Sequence, residues 1–148
     1  MKRRVLLVIA LVGVLAGCST PQPAGPAALN REATAEDKLP DGVGLTGVDH
    51  DVEPGSARLL ATYDDVKYYG ARSSTGGSAG LFVVPVGLPD QWRAGCGGTA
   101  TSGRIVTVSG VDHSEATLIN DGVDTSRPEF QGLTKIHDNV LVSKPARY

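Results

Sequence analysis

Residues 42–148 read as an all-β fold, a small antiparallel sandwich or barrel-like meander of about 6–8 short strands. Three observations predict it. Short apolar or alternating runs recur between turn signals, the pattern of half-buried strands. Sustained helical periodicity is missing. Most of the chain's 19 glycines fall in this stretch, where they punctuate turns. Its length suits one domain.

The elements follow in order. Arg58–Tyr63 and Val66–Arg72 flank Asp64-Asp65, which is expected to be a two-residue hairpin turn. Residues 73–79 form a small flexible loop. Residues 81–86 (Leu-Phe-Val-Val-Pro-Val) are the most apolar run and a central strand; Pro85 cannot donate to a ladder and places the strand's end near an edge or bulge. Arg104–Ser109 is a strand of β-branched residues. Glu115–Ile119 follows, and Asn120-Asp121-Gly122 closes it with a turn. Residues 135–136 and 140–143 make a last hairpin through His137-Asp138-Asn139. The expected core is Leu59, Tyr63, Tyr69, Phe82, Val84, Trp92, Ile105, Val108, Leu118, Ile136 and Leu141, enough for a domain of this size. Gly47-Val48-Asp49-His50 recurs as Gly110-Val111-Asp112-His113, which reads as shared turn chemistry rather than a repeat, because the flanks do not align without a gap.

Upstream, Lys2-Arg3-Arg4 precedes an apolar run from Val5 to Ala16 that ends in Leu15-Ala16-Gly17-Cys18. A basic patch, an apolar stretch and small residues before a cleavage point are the parts of an export signal. The run is shorter than the roughly 20 apolar residues of a membrane span. The stretch resembles the bacterial lipoprotein signal, whose motif is Leu, two small residues and Cys. The resemblance covers the first 18 residues. It implies that residues 1–17 are removed as a signal peptide and that Cys18 carries a covalent diacylglycerol, with an acyl chain such as palmitate on the new N-terminus. Two or three chains hold a protein stably to a bilayer, since each buried CH₂ contributes about 0.8 kcal/mol. The expected location is therefore the outer, extracytoplasmic face of the cell membrane.

From residue 18 to 41, Pro21, Pro23, Pro26 and Pro40 interrupt a polar stretch, which reads as a disordered tether standing the domain off the membrane. Loss of Lys2, Arg3 and Arg4 with the leader would take the formal charge from −2 to −5. An acidic product lacks the clustered Lys and Arg that neutralise phosphates, so nucleic acid is not an expected partner. A polybasic membrane patch is equally missing, leaving the lipid as the membrane contact.

Within the domain several side chains invite chemistry. Gly76-Gly77-Ser78-Ala79-Gly80 fits the nucleophile-elbow string, but that motif needs a strand before the serine and a helix after it. A glycine-rich hairpin loop is the better reading, and no catalytic residue is assigned. His50, His113 and His137 each neighbour an aspartate, a donor set suited to Zn²⁺ if three loops converge. Their turn settings suggest the alternative that Asp and His serve local hydrogen bonding. Cys96 is the one cysteine besides Cys18, so no disulfide is expected within the mature chain; flanking glycines suggest a buried, inert thiol. Trp92 and the cluster Tyr63, Tyr68 and Tyr69 are candidates for a binding face, Trp92, Tyr68 and Tyr69 foremost, since exposed aromatics anchor partners; with so few aromatics in the domain, at least two of the four are expected in the core.

Residues 56–142, notably Trp92-Arg93-Ala94-Gly95-Cys96-Gly97 and Ile136-His137-Asp138-Asn139-Val140-Leu141-Val142, resemble small uncharacterised exported or membrane-tethered proteins of high-GC Gram-positive bacteria. That resemblance assigns no activity. In such sequences a second cysteine often lies in the strand matching residues 81–86; this chain has none there. The function expected is a lipid-anchored, non-catalytic binding or interaction module of the cell envelope, with an envelope component or protein as partner. The alternatives are a small metal-dependent hydrolase using the His/Asp loops and an envelope structural or accessory protein.

Overall fold

The computed structural model describes residues 25–44, 52–100 and 103–144. Eight strands form two antiparallel four-stranded sheets that pack as a sandwich. The first sheet is a simple meander of β1 (Arg58–Tyr63), β2 (Val66–Arg72), β3 (Ser78–Pro85) and β4 (Arg93–Gly98), in that spatial order. The second holds β5 (Arg104–Ser109), β6 (Glu115–Ile119), β7 (Thr134–His137) and β8 (Val140–Val142), in the order β5-β6-β8-β7. The all-β expectation holds, and β1, β2, β5 and β6 lie where the alternation placed them. Asp64 and Asp65 both adopt positive φ, 51° and 57°, as a two-residue turn matched to the twist of its strands requires.

Alternation along the strands sorts side chains into three apolar clusters. The central one lies between the sheets and joins Leu60, Tyr68, Leu81 and Val83 to Ile105, Val108, Leu118, Val140 and Val142. Tyr69, Phe82 and Val84 point the other way, and Trp92, Leu59 and Val43 pack against them. The Phe82 and Trp92 rings meet with centroids 6.1 Å apart. On the far side of the second sheet Ile119 and Leu141 are covered by Phe130, from the short 3₁₀ turn Pro128–Phe130. Because β3 is buried on both faces, its run of apolar residues is continuous rather than alternating.

Two features depart from expectation. The first is β4, which the glycine-rich run Gly95-Cys96-Gly97-Gly98 conceals because glycine is depleted in strands. Its glycines are there for the neighbouring sheet. A methyl group on Gly97 would fall 1.8 Å from the Ile105 carbonyl oxygen, and one on Gly95 would lie 3.0 Å from Val106. Two backbones from different sheets therefore touch at this corner, which only glycine permits.

The second is the segment read as tether. Residues 25–44 pack onto the domain through the 3₁₀ turns Ala27–Asn30 and Ala35–Asp37. The domain thus begins well before residue 42. Leu29 is fully buried in the central cluster. Asp37, 4% exposed, accepts hydrogen bonds from Arg31 Nη1 (2.7 Å), the Thr34 N–H (2.7 Å) and the Leu59 N–H (2.7 Å). The last of these caps the open edge of β1, which would otherwise expose an unpaired backbone donor. Arg58 Nε donates to the Arg31 carbonyl at 2.8 Å, and Arg72 Nη1 to the Leu29 carbonyl at 2.7 Å. Asp121 completes the attachment by accepting from the Ala27 N–H at 2.7 Å. Prolines break helices, as the sequence suggests, but they do not prevent an irregular arm from docking.

Gly97→Ala is expected to lower stability by about 3 kcal/mol or more, because backbone cannot yield as a side chain does; thermal unfolding measures it, with Gly98→Ala, whose added methyl group meets nothing closer than 3.9 Å, as the control. Asp37→Asn should cost roughly 2 kcal/mol. The hydrogen bonds of Arg31 above all, and then those of Thr34 and Leu59, hold the Asp37 carboxyl well below the ordinary carboxylate range against the opposing effect of burial. The unfolded chain therefore takes up that proton more readily. The stabilisation is complete above about pH 4 and is lost as pH falls below it. The difference in stability between wild type and Asp37→Asn should accordingly shrink in acid, as denaturant titrations at pH 7 and pH 3 would show.

Candidate functional site

A cleft of about 740 Å³ opens at the end of the sandwich where the β1–β2 turn, the β3–β4 connection and the β5–β6 hairpin gather. Tyr63, Tyr68 and Trp92 supply aromatic walls, and Val66, Pro85 and Val142 supply apolar floor. Its position follows from register. Tyr68 pairs with Val83, and Val83 with Arg93, so the three form one row across the first sheet. Tyr68 and Val83 belong to the central cluster, which puts Arg93 on the same inward face.

Arg93 is held from the opposite sheet. Its Nη2 donates to Ser114 Oγ at 2.9 Å, and Ser114 in turn donates to Asp112 Oδ1 from Oγ (2.6 Å) and from the backbone N–H (3.1 Å). The hairpin turn over residues 110–114 is built for this. His113 takes a positive φ of 58°, and its N–H donates to the Gly110 carbonyl at 3.1 Å. A methyl group on Gly110 would lie 2.9 Å from the Arg93 guanidinium and 2.4 Å from Asp112 Oδ1, so glycine lets the arginine cross the turn. The Ser114 hydroxyl, then its N–H, hold the Asp112 carboxyl below the ordinary carboxylate range. Burial pushes the Tyr68 hydroxyl up, keeping it protonated as a donor.

The connections around the cleft carry both polar and exposed apolar residues. Val111 is fully exposed at the tip of the β5–β6 hairpin, and Val86 and Leu88 are half exposed in the β3–β4 connection. Single exposed apolar residues are ordinary on a protein surface, but Val111 lines a cleft that already holds Trp92 and two tyrosines.

The residues singled out in the sequence divide. Tyr68 and Trp92 both line the cleft. Tyr69 does not: it is 1% exposed and packs in the outer cluster of the first sheet with Phe82, because successive residues of a strand face opposite ways. His113 and His137 are not brought together. His113 sits in the β5–β6 turn, beside the Glu115 end of β6, whereas His137 adjoins Val140, which pairs with Leu118 towards the other end. Among the described residues no group of three potential metal ligands converges, and His50 lies outside them. His137 accepts the Asn139 N–H on Nδ1 at 3.1 Å, and burial lowers its basicity, so it serves the β7–β8 turn as a neutral acceptor. Ser78 opens β3, so the strand takes up Ser78 and Ala79 from the stretch read as loop, because both pair with β4; no helix follows the serine. Cys96 packs with the outer cluster, facing Gly80 across the β3–β4 pair, and burial pushes its thiol up, away from the reactive thiolate. Cys18 lies outside the described residues.

Arg93 and Ser114 were not assigned to a site from the sequence, and Asp112 was read only as a neighbour of His113 in a metal-ligand set. One signal was available: Gly110-Val111-Asp112-His113 stands out as a repeated string, with an apolar residue inside a polar turn. No protein-family model matches the chain, and neither the curated proteins nor the solved structures provide a match.

Proposed function

We propose that the chain is a lipid-anchored extracytoplasmic binding module, held to the membrane through Cys18 and presenting the cleft at the end of its sandwich to a ligand. The carrying observation is the cleft, in which Tyr63, Tyr68, Trp92 and Arg93 from the first sheet meet the 110–114 turn of the second. Apolar walls with a few placed polar groups are the usual make-up of a small-molecule site. The Ser114 hydroxyl donates to Asp112 and accepts from Arg93, a contact that positions the arginine at the cleft. The anchor rests on the Leu15-Ala16-Gly17-Cys18 motif.

Cys18→Ala should abolish lipid attachment, moving the protein from the membrane to the soluble fraction and removing the acyl mass seen by mass spectrometry. Retention in the membrane with unchanged mass would remove the anchor from the proposal. For the cleft, amide spectra of the full chain titrated with indole and with benzyl alcohol should give saturable shifts grouped at Tyr68, Trp92 and residues 109–114. Shifts scattered elsewhere, or none, would remove the cleft as the binding face.

A further inference from the structure

The cleft carries two polar groups whose hydrogen bonding is incomplete. Tyr68 is 6% exposed and lines the cleft, yet its hydroxyl makes no hydrogen bond among the described residues. Arg93 Nε is enclosed and has no partner among the described residues. A guanidinium has donors only, so whatever completes Arg93 must be an acceptor. Among the described residues Arg93 Nε is the one enclosed side-chain polar atom in this state, and such atoms are rarely left so without a reason of function; the Tyr68 hydroxyl, by contrast, is open to the cleft.

Charge narrows the acceptor. The Ser114 hydroxyl hydrogen-bonds both Asp112 and Arg93, and the two charges feel each other, but among the described residues no carboxylate makes an ion-pair contact with Arg93. Among the described residues, then, Arg93 has Asp112 nearby but no carboxylate in contact. Asp64 and Asp112 also line the cleft, with Lys144 as a second cation. The two carboxylates disfavour a multiply charged anion there, while one negative charge against Arg93 is accommodated.

We propose that the cleft binds a small organic acid, a ligand with a planar apolar body and a single carboxylate. The body lies against Trp92, Tyr63 and Val111, and the carboxylate accepts from the Tyr68 hydroxyl and the Arg93 guanidinium. To offer Nε, Arg93 exchanges its Ser114 contact for the carboxylate, a fork geometry that arginine matches and lysine does not. This deepens the proposed function and rests on the cleft being the binding face.

The test compares phenylacetate with 2-phenylethanol, which has a ring and chain of similar shape but a hydroxyl in place of the carboxylate. The full chain is titrated at pH 7 while following the fluorescence of Trp92, the chain's sole tryptophan. Phenylacetate should saturate with a Kd at least tenfold below that of the alcohol, and benzylphosphonate should bind more weakly than phenylacetate. Tyr68→Phe, which keeps the ring in the core, and Arg93→Gln should each reduce the acid-over-alcohol ratio at least threefold; that ratio is insensitive to a general loss of folded protein. Equal affinity for acid and alcohol, or tighter binding of the phosphonate, overturns the carboxylate inference while leaving the cleft as a binding face. A ratio unchanged in both variants overturns the assignment of Tyr68 and Arg93. No saturable response to any of the probes overturns the inference together with the reading on which it rests.

Discussion

The close approach of β4 and β5 is the constraint on which the architecture turns. Two sheets in a sandwich ordinarily stand about 10 Å apart, separated by side chains. At this corner Gly97 and Gly95 remove the side chains, and the β5 backbone settles against β4 at Ile105 and Val106. The sandwich is thereby pinched on one side. The direct backbone contact also sets the height at which the β5–β6 turn passes over the first sheet, and so brings Ser114 within hydrogen-bonding distance of Arg93. A bulge between Arg104 and Val106 supplies the bend that β5 needs there.

The opposite side of the first sheet is managed by charge. β1 is an edge strand, and its exposed backbone is engaged by the arm of residues 25–44. Asp37 takes the Leu59 N–H, and Arg31 Nη2 reaches the Leu59 carbonyl at 3.2 Å. The pair that does this, Arg31 and Asp37, is half in solvent: the Arg31 side chain is 39% exposed and that of Asp37 only 3%. The arrangement is sensible energetically. The carboxylate, which loses its water, gains several donors, while the guanidinium keeps part of its hydration. Arg72 adds a second tie, bridging Glu53 at 2.9 Å and the Leu29 carbonyl. Leu29 fills the space above Gly70, where a methyl group would stand 2.7 Å from its side chain, so the arm contributes to the core as well as covering the edge.

The cleft is a consequence of these two closures. With one side pinched by glycines and the other sealed by the arm, the opening of the sandwich lies at its end, where three connections meet over Tyr68 and Arg93. Its floor adjoins the central cluster through Val66 and Val142, and its rim includes the β5–β6 turn that carries Val111 and Asp112. Placing Tyr68 and Arg93 on strands fixes the geometry of recognition, while the turn that carries Val111 lets a wall adapt.

Local chemistry is legible in the chain itself. The strands β1, β2, β5 and β6 declare themselves because β-branched and aromatic residues alternate between turns, and the Asp64-Asp65 turn because two short polar residues tolerate positive φ. The N-terminal motif is equally local, a matter of consecutive residues. What the order of residues does not reveal are relations between distant segments. β4 is hidden because its glycines answer to a strand of the other sheet rather than to their own. The arm reads as a tether because the partners that dock it, Leu59, Arg58, Arg72 and Asp121, lie far along the chain. Tyr68 and Tyr69 are neighbours in sequence and opposites in space, and Arg93 joins Tyr68 only through the register of two strand pairs. A site made of one residue from each of several strands comes into being with the pairing of those strands, since no local preference encodes which carbonyl will meet which N–H across a sheet.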